Sequence, residues 1–191
     1  PGTKYGKLIA LQDEINRADL AALFIEELNV VERIKRREVG STAPDLSFES
    51  ENPLEFNTEE GSAQNDILDI EGHWAESMIE DFVATGIFEV SQDHKFYPDE
   101  PVTRIEFAGA VQRLFYMITR DETIFSKYIG EQESHISDLR TDHPFYGAAV
   151  LCVERDIMDL DKISGFFHPN DAVSGPDAVL LIRDIKNALK W

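Results

Sequence analysis

The sequence predicts a mainly α-helical fold that is built from repeated units, and three observations lead to this expectation. The same short motifs occur twice in the same order, about 70 residues apart. Each copy contains segments whose apolar residues recur every three to five positions, which is typical of an amphipathic helix. Both copies contain a motif that is typical of the start of a helix, and a third example of this motif lies near the beginning of the chain. We therefore expect three related helical units.

Composition restricts the class of protein. The chain of 191 residues carries 37 Asp+Glu against 18 Lys+Arg, a formal net charge of −19, and 42% of its residues are hydrophobic. It can therefore bury a core, whereas nucleic-acid binding is not expected without a basic stripe. No apolar run reaches the roughly 18–20 residues that span a bilayer, so we expect no membrane-spanning segment. The single cysteine, Cys152, lies in an apolar stretch and predicts a buried, inert thiol.

An acidic segment divides the chain. Residues 38–66 contain eight acidic residues, no Lys or Arg, and many Ser, Asn, Gly and Pro, a composition that indicates a solvated linker. We therefore predict a partial first unit at 1–37, the linker at 38–66, a second unit at 67–120 and a third at 135–191. The intervening residues 121–134 have the composition of a loop.

The second and third units share their motifs in order. Asp69–Ala75 in the second unit corresponds to Asp138–Tyr146 in the third. An amphipathic pattern follows in both, and Gly86 suits the left-handed cap at the end of the first of these helices. Phe96–Asp99 then corresponds to Phe166–Asn170. Agreement in order and spacing over about 45 residues indicates a true internal repeat.

Each unit also contains a helix start with its own physical signature. In Thr103-Arg104-Ile105-Glu106 the hydroxyl can accept from the backbone of Glu106 while that carboxylate reaches back, which is a capping box. An apolar residue precedes each cap, as in a hydrophobic staple. The three predicted caps are Asn16 with Asp19, Thr103 with Glu106, and Ser174 with Asp177.

A basic run follows the first capped segment at Arg33, Lys35, Arg36 and Arg37. We expect it to close the first capped helix, where positive charge is favourable near the C-terminus. An anion-binding patch is the alternative interpretation.

Taken as a set, these motifs resemble the S-layer homology domain. The likeness depends on the order of an Asp-hydrophobe pair, His-Trp-Ala, Gly-Ile, a Phe-x-Pro turn and Thr-Arg-x-Glu-Phe-Ala. Residues 69–114 match this order almost completely, residues 137–188 form a weaker copy, and residues 15–28 resemble only the second half of a unit.

The resemblance implies a fold in which three units form a three-lobed helical bundle around a pseudo-threefold axis. It also implies non-covalent attachment to a bacterial cell wall, and hence a location in the cell envelope. The partner implied is an acidic wall polysaccharide or peptidoglycan.

The resemblance further implies that Arg17 and Arg104 lie in grooves between lobes and bind the anionic group, since a guanidinium can form paired hydrogen bonds to a carboxylate. Asp69 and Trp74 are the candidate neighbours in these grooves. Trp74 has a second interpretation as an anchor in the core. Because Arg104 occupies the first helical position, we expect its side chain to point outward without packing contacts, and its removal to leave the melting temperature nearly unchanged.

Two departures from the family pattern lead to further expectations. The third box reads Ser174-Gly175-Pro176-Asp177 and lacks the arginine, so we expect one groove to be impaired. The first unit lacks its front half. Either residues 5–11 form a substitute helix, or residues upstream of Pro1 complete the unit.

Motifs for catalysis are not evident, so we expect no enzyme activity, no cofactor and no metal. The five histidines are scattered without the spacing of zinc ligands. The pair Asp69 and His73 is interpreted as polar groups at a helix start, and Asp159 with Asp161 lacks the other ligands of a calcium loop. Two hypotheses remain: a carbohydrate-binding anchor, and an envelope assembly scaffold whose repeats bind no ligand.

Overall fold

A computed structural model describes residues 2–40 and 67–190. This part of the chain is mainly helical, which confirms the predicted fold class, and its regular elements are all helices, joined by two isolated β-bridges. The helices are α1 (Lys4–Ile9), α2 (Arg17–Ala22), α3 (Val30–Gly40), α4 (Glu76–Ala84), α5 (Arg104–Thr119), α6 (Thr123–Ser126), α7 (Tyr146–Glu154) and α8 (Gly175–Ala188).

The helices enclose one hydrophobic core to which every helix with described side chains from α1 to α8 contributes or packs. Cys152 is completely buried in α7, and desolvation raises the pKa of its thiol to about 12. No helix in the described ranges has the length and apolarity that crossing a bilayer requires. The predicted linker lies almost entirely outside the described residues, and its first three positions belong to the end of α3.

The starts of α2, α5 and α8 follow from local sequence. The side chains of the N-caps Asn16 and Thr103 each accept a hydrogen bond from the N–H of the third helical residue, and the carboxylates of Asp19 and Glu106 each accept one from the N–H of the cap residue. These are complete capping boxes. At Ser174 the hydroxyl accepts from the Asp177 N–H and donates to its carboxylate at 2.7 Å, so the backbone half of the box is missing.

The residues immediately before these caps are joined by a closed ring of backbone hydrogen bonds. The N–H of Ile15 donates to the carbonyl of Val173 at 2.9 Å, that of Val173 to Val102 at 2.9 Å, and that of Val102 to Ile15 at 3.0 Å. All three residues are buried. The three helix starts therefore converge on one point inside the molecule.

Each of these helices also donates its first N–H to the turn before another capped helix. Arg17 donates to the carbonyl of Glu100, Arg104 to that of Asp171, and Gly175 to that of Gln12. Helix α2 thus contacts the turn before α5, α5 the turn before α8, and α8 the turn before α2.

The first unit differs from the prediction at the end of its capped helix. A π-helical turn at Leu23–Glu27 continues α2, and Asn29 then adopts a left-handed φ of 50°. That conformation ends the helix, as left-handed residues commonly do. The basic run is therefore part of the separate helix α3 and does not continue α2 as expected, but the Nε of Arg33 donates to the carbonyl of Leu28 at the end of the first helix, at 3.1 Å.

Helix α1 is held to the rest of the molecule by a buried carboxylate. Glu27 accepts hydrogen bonds from the backbone N–H and the hydroxyl of Thr3, at 2.9 and 2.7 Å, and an ion pair joins it to Lys186 at 3.3 Å. Although burial opposes ionisation, these partners lower the pKa of Glu27 from 4.5 to about 2. These contacts of Glu27 with Thr3 and Lys186, which we call the Glu27 clasp, join α1, the π-helical turn and α8.

This clasp predicts a pH-dependent stability. Because the folded-state pKa of Glu27 is depressed, its contribution is complete above about pH 4.5 and is lost as the pH falls toward 2. Between pH 7 and pH 3 the free energy of unfolding should fall by about 2 kcal/mol less in Glu27→Gln than in the parent, because the variant has no carboxylate to protonate at this position. Urea unfolding of parent and variant at both pH values measures it. Parallel losses of stability in the two proteins on acidification would contradict the assignment.

Candidate functional site

The four candidate ligand residues lie at two kinds of position. Arg17 and Arg104 occupy the first turns of α2 and α5, next to their N-caps. Asp69 and Trp74 lie in the turns that lead into α4. The structure does not gather all four into one site, so each is described with the partners that hold it.

Arg104 is fixed against the third unit. Its Nε donates to the carbonyl of Phe167 at 2.8 Å and a terminal nitrogen donates to the carbonyl of Asp159 at 3.0 Å. The guanidinium carbon lies 5.0 Å from the centre of the Phe167 ring. The expectation that this side chain makes no packing contacts is therefore wrong, because the loop that precedes α8 folds back onto the start of α5.

Arg104 also lines an open cleft of about 350 Å³. Its two partners above are neutral carbonyls, so they do not cancel its positive charge. Four carboxyl-bearing residues line the same cleft, and three of them have other partners: Asp161 accepts from Ser164, Asp177 accepts from Ser174, and Asp171 lies 3.7 Å from Nδ1 of His168. The cleft thus offers one guanidinium donor and several carboxylate acceptors. The four are Asp159, Asp161, Asp171 and Asp177.

Arg17, at the equivalent position of α2, makes a similar contact to a carbonyl, that of Phe96 at 3.3 Å, but it has charged partners as well. Its terminal nitrogens form ion pairs with Glu100 and Glu106, both at 3.0 Å, and only 16% of its side chain is exposed. Burial raises the pKa of Glu106, but hydrogen bonds from Thr103 and from Arg17 outweigh it and hold the pKa below its ordinary value. The charge of Arg17 is therefore compensated inside the protein, in contrast to that of Arg104.

The position that lacks an arginine is closed by the first unit. A Cβ atom on Gly175 would lie 1.9 Å from the carbonyl oxygen of Ile9 and 2.8 Å from that of Gln12. Backbone at the end of α1 therefore fills the space that a side chain would need. The substitute helix expected in the first unit is present as α1, and its position accounts for the glycine.

Asp69 links the start of its own unit to a later turn of the same unit, and we call this arrangement the Asp69 brace. Its two carboxylate oxygens accept hydrogen bonds from the backbone N–H groups of Phe96 and Tyr97, at 2.8 and 2.7 Å. Asp138 does the same for Phe167 and His168 in the third unit, at 2.7 and 2.8 Å. The carboxylate thus joins the start of each unit to its Pro turn, and this use of both oxygens occurs in both copies.

Trp74 lies at the surface. Half of its surface is exposed, and its indole stacks on the ring of Tyr5 in α1, with a centroid distance of 5.6 Å and an interplanar angle of 23°. It is therefore not a core anchor. Sequence reasoning marked Glu106 only as a cap residue and Tyr5 only as part of a possible helix. It missed the contacts of Arg17 with Glu100 and Glu106 and of Trp74 with Tyr5, because each joins residues that are far apart in the chain.

The pair Asp69 and His73 does not form an acid–base site. Both oxygens of Asp69 are occupied by backbone amides, and Nδ1 of His73 accepts from the N–H of Ala75 at 3.2 Å. This agrees with polar groups at a helix start. Within residues 2–40 and 67–190, no group of three or more His, Cys, Asp or Glu side chains is placed to hold a metal ion.

Comparison with known proteins agrees with the resemblance found in the motifs. Residues 66–108 match the family model of the S-layer homology domain. The comparison with curated proteins gave no match. S-layer homology domains are non-catalytic and generally anchor proteins to the cell wall, which places the family at the cell surface or envelope. The Asp69 brace, the capping box at the start of α5 and Arg104 all fall in the matched segment, so this part of the chain is similar to an S-layer homology domain.

Proposed function

We propose that this chain is a non-catalytic attachment module of the bacterial cell envelope that binds an acidic cell-wall polysaccharide or peptidoglycan. The observation that carries the proposal is the cleft at Arg104, where a guanidinium with neutral partners faces solvent-accessible space. A sugar acid places its carboxylate on the guanidinium and donates its hydroxyls to the surrounding aspartates.

We further infer that the units 1–37, 67–120 and 135–191 form three lobes around a pseudo-threefold axis. Support comes from the closed ring of hydrogen bonds among Ile15, Val102 and Val173. The first N–H of each capped helix also contacts the turn before another capped helix in cyclic order. These repeated contacts are what a threefold relation among the units requires.

In this arrangement the three clefts are not equivalent. Arg104 is left with its charge uncompensated by its direct partners, Arg17 is paired with two glutamates, and Gly175 is covered by backbone from α1. We therefore assign the principal ligand contact to Arg104. Trp74 offers a half-exposed aromatic face to a sugar ring, whereas Asp69 acts as a brace that positions the turn at Tyr97.

The test is binding to purified, protein-free cell-wall sacculi at constant ionic strength. We expect Arg104→Ala to weaken co-sedimentation at least about tenfold, because a charge-assisted contact is removed. Its melting temperature should fall by a few degrees through the loss of two hydrogen bonds, so binding is measured where the variant is fully folded. Arg104→Lys should also bind weakly, since an ammonium cannot reproduce the paired geometry.

Two matched variants complete this test. Arg183→Ala removes the same charge from an exposed site on α8, and it should bind as the parent does. Arg17→Ala should lower stability through its unpaired glutamates while leaving binding near the parent level. If Arg104→Ala still sediments with sacculi like the parent, Arg104 is not the ligand contact.

The alternative function is an envelope assembly scaffold with repeats that bind no ligand. The compensated Arg17 and the covered Gly175 favour it, because they remove two of the three positions at which the family resemblance implies a groove. If the parent protein itself does not sediment with sacculi, this scaffold function replaces the anchor.

A further inference from the structure

A second cleft lies outside the predicted repeats. It has a volume of about 370 Å³ and is enclosed by the middle of α5, by α6 with the loop that follows it, and by the start of α7. Most of one wall comes from residues 125–130, which fall in the segment between the second and third units. The volume lies within the range of about 300–1,000 Å³ that is usual for small-molecule sites.

The floor of this second cleft contains a buried amide. Gln112 is only 7% exposed within an otherwise apolar stretch of α5, and its Nε2 donates to the carbonyl of Ile124 at 3.0 Å. In the described part of the chain, its Oε1 has no hydrogen-bond partner. This oxygen is not among the fully buried unpaired atoms of the described residues, so it is accessible from the cleft and can accept a hydrogen bond from a ligand donor.

Beside this amide is the first turn of α7. Phe145, its N-cap, provides no side-chain acceptor for the N–H groups of that turn. Gly147 lines the cleft, and a Cβ there would meet Nε2 of Gln112 at 3.3 Å. The absent side chain thus keeps the amide accessible. The N–H of Tyr146 donates to the carbonyl of His143 at 2.9 Å, so the backbone donors that this turn offers beside the Gln112 acceptor are those of Gly147 and Ala148.

The walls are largely apolar and aromatic. Phe125 is 44% exposed, and its ring is held by Tyr116 at a centroid distance of 5.1 Å. Ile129 and Pro144 line the opening with it. A ring held in this way on the rim of a polar floor presents a flat apolar face that a ligand can cover.

The charges indicate what kind of ligand fits. No Lys or Arg is among the described residues that line this cleft, and its one carboxylate, Asp142, is paired with Arg140 through two hydrogen bonds. An anionic ligand would find no cation there. A pyranose ring has one apolar C–H face and edge hydroxyls that both donate and accept, which matches an aromatic wall above an amide floor.

We propose that this second cleft binds a neutral pyranose unit of a glycan, with the ring on Phe125 and a hydroxyl on Gln112. This site is separate from Arg104 and does not depend on it. A chain that contacts a polysaccharide at both places would hold a charged sugar at one cleft and an uncharged one at the other.

The test is a titration of the full-length ¹⁵N-labelled chain, followed by NMR, with N,N′-diacetylchitobiose, cellobiose and maltose. At least one should shift the Gly147 amide and the Gln112 side-chain NH₂ saturably, with a dissociation constant of about 1–10 mM. Phe125→Ala should weaken this binding about tenfold. The matched control is Phe166→Ala, which removes a ring of similar exposure, 40%, from the Arg104 cleft and should have no effect.

Further variants separate the two clefts. Gln112→Met should weaken binding while its melting temperature, measured in parallel, reports any loss of folding. Arg104→Ala should leave the disaccharide shifts unchanged, so failure at one cleft is distinguishable from failure at the other. The proposal is overturned if no neutral disaccharide shifts Gly147 and Gln112, if Phe125→Ala binds like the parent, or if glucuronic acid binds this cleft more tightly than the neutral sugars.

Discussion

Gly175→Ala is expected to lower the free energy of unfolding by about 3 kcal/mol, although it adds a single methyl group in a helix. The new Cβ would lie 1.9 Å from the Ile9 carbonyl oxygen, and backbone cannot move aside as a flexible side chain does. The end of α1 would have to shift, together with the hydrogen bond from Gly175 to Gln12. For a chain of this size the melting temperature should fall by roughly 6–12 °C.

Gly2→Ala is the matched control, because its Cβ would meet nothing within 4 Å. It should melt like the parent. Gly175→Arg restores the residue type of the other two helix starts, yet we expect it to be at least as destabilising as Ala and to add no binding to sacculi. A Gly175→Ala protein with the parent's melting temperature would mean that α1 does not hold this position closed.

Asp69→Ala is expected to cost about 3 kcal/mol, which is large for a polar residue outside the core. Two backbone N–H groups, of Phe96 and Tyr97, lose a charged acceptor, and hydrogen bonds to charged groups contribute about 1.5–3 kcal/mol each. Chemical unfolding at pH 7 measures the effect. Asp138→Ala should reproduce it in the third unit, where the same two bonds are made to Phe167 and His168.

Asp99→Ala provides the comparison for Asp69. It removes an exposed carboxylate from the same unit, whose one ion pair is to His73 at 3.7 Å, and it should change stability by less than about 0.5 kcal/mol. The brace assignment fails if Asp69→Ala unfolds like the parent but loses binding to sacculi, because the carboxylate would then be a ligand contact.

Several features could be predicted from short stretches of sequence because their causes are local. A capping box needs only four consecutive residues, and the boxes at Asn16 and Thr103 form where their sequences indicate. Gly86 adopts a φ of 73°, as expected for a left-handed helix end. The spacing of apolar residues likewise predicted the helices of the second and third units. In α7, however, the consecutive residues 148–152 are all buried, so this helix is enclosed on most sides and does not bury one face as predicted.

The break after α2 was harder to predict because two local signals compete. Apolar residues continue through Leu28 into α3, so their pattern favours one long helix, while Asn29 permits the left-handed conformation that ends it. The π-helical turn before it brings Glu27 to the clasp with Thr3 and Lys186, and these partners lie 24 and 159 residues away. Such partners have no trace in the local pattern.

The resemblance to the S-layer homology domain, the helical class and the positions of the helix starts could be predicted from the residues alone, since motif order and capping depend on neighbours in the chain. Whether the charge of each candidate arginine is compensated inside the protein could not be predicted in this way. Arg17 and Arg104 occupy the same position in the same motif, yet one is neutralised by Glu100 and Glu106 while the other binds carbonyls beside an open cleft. Their partners lie 55 to 89 residues away, so the packing of one unit against another determines which guanidinium keeps a charge available for a ligand.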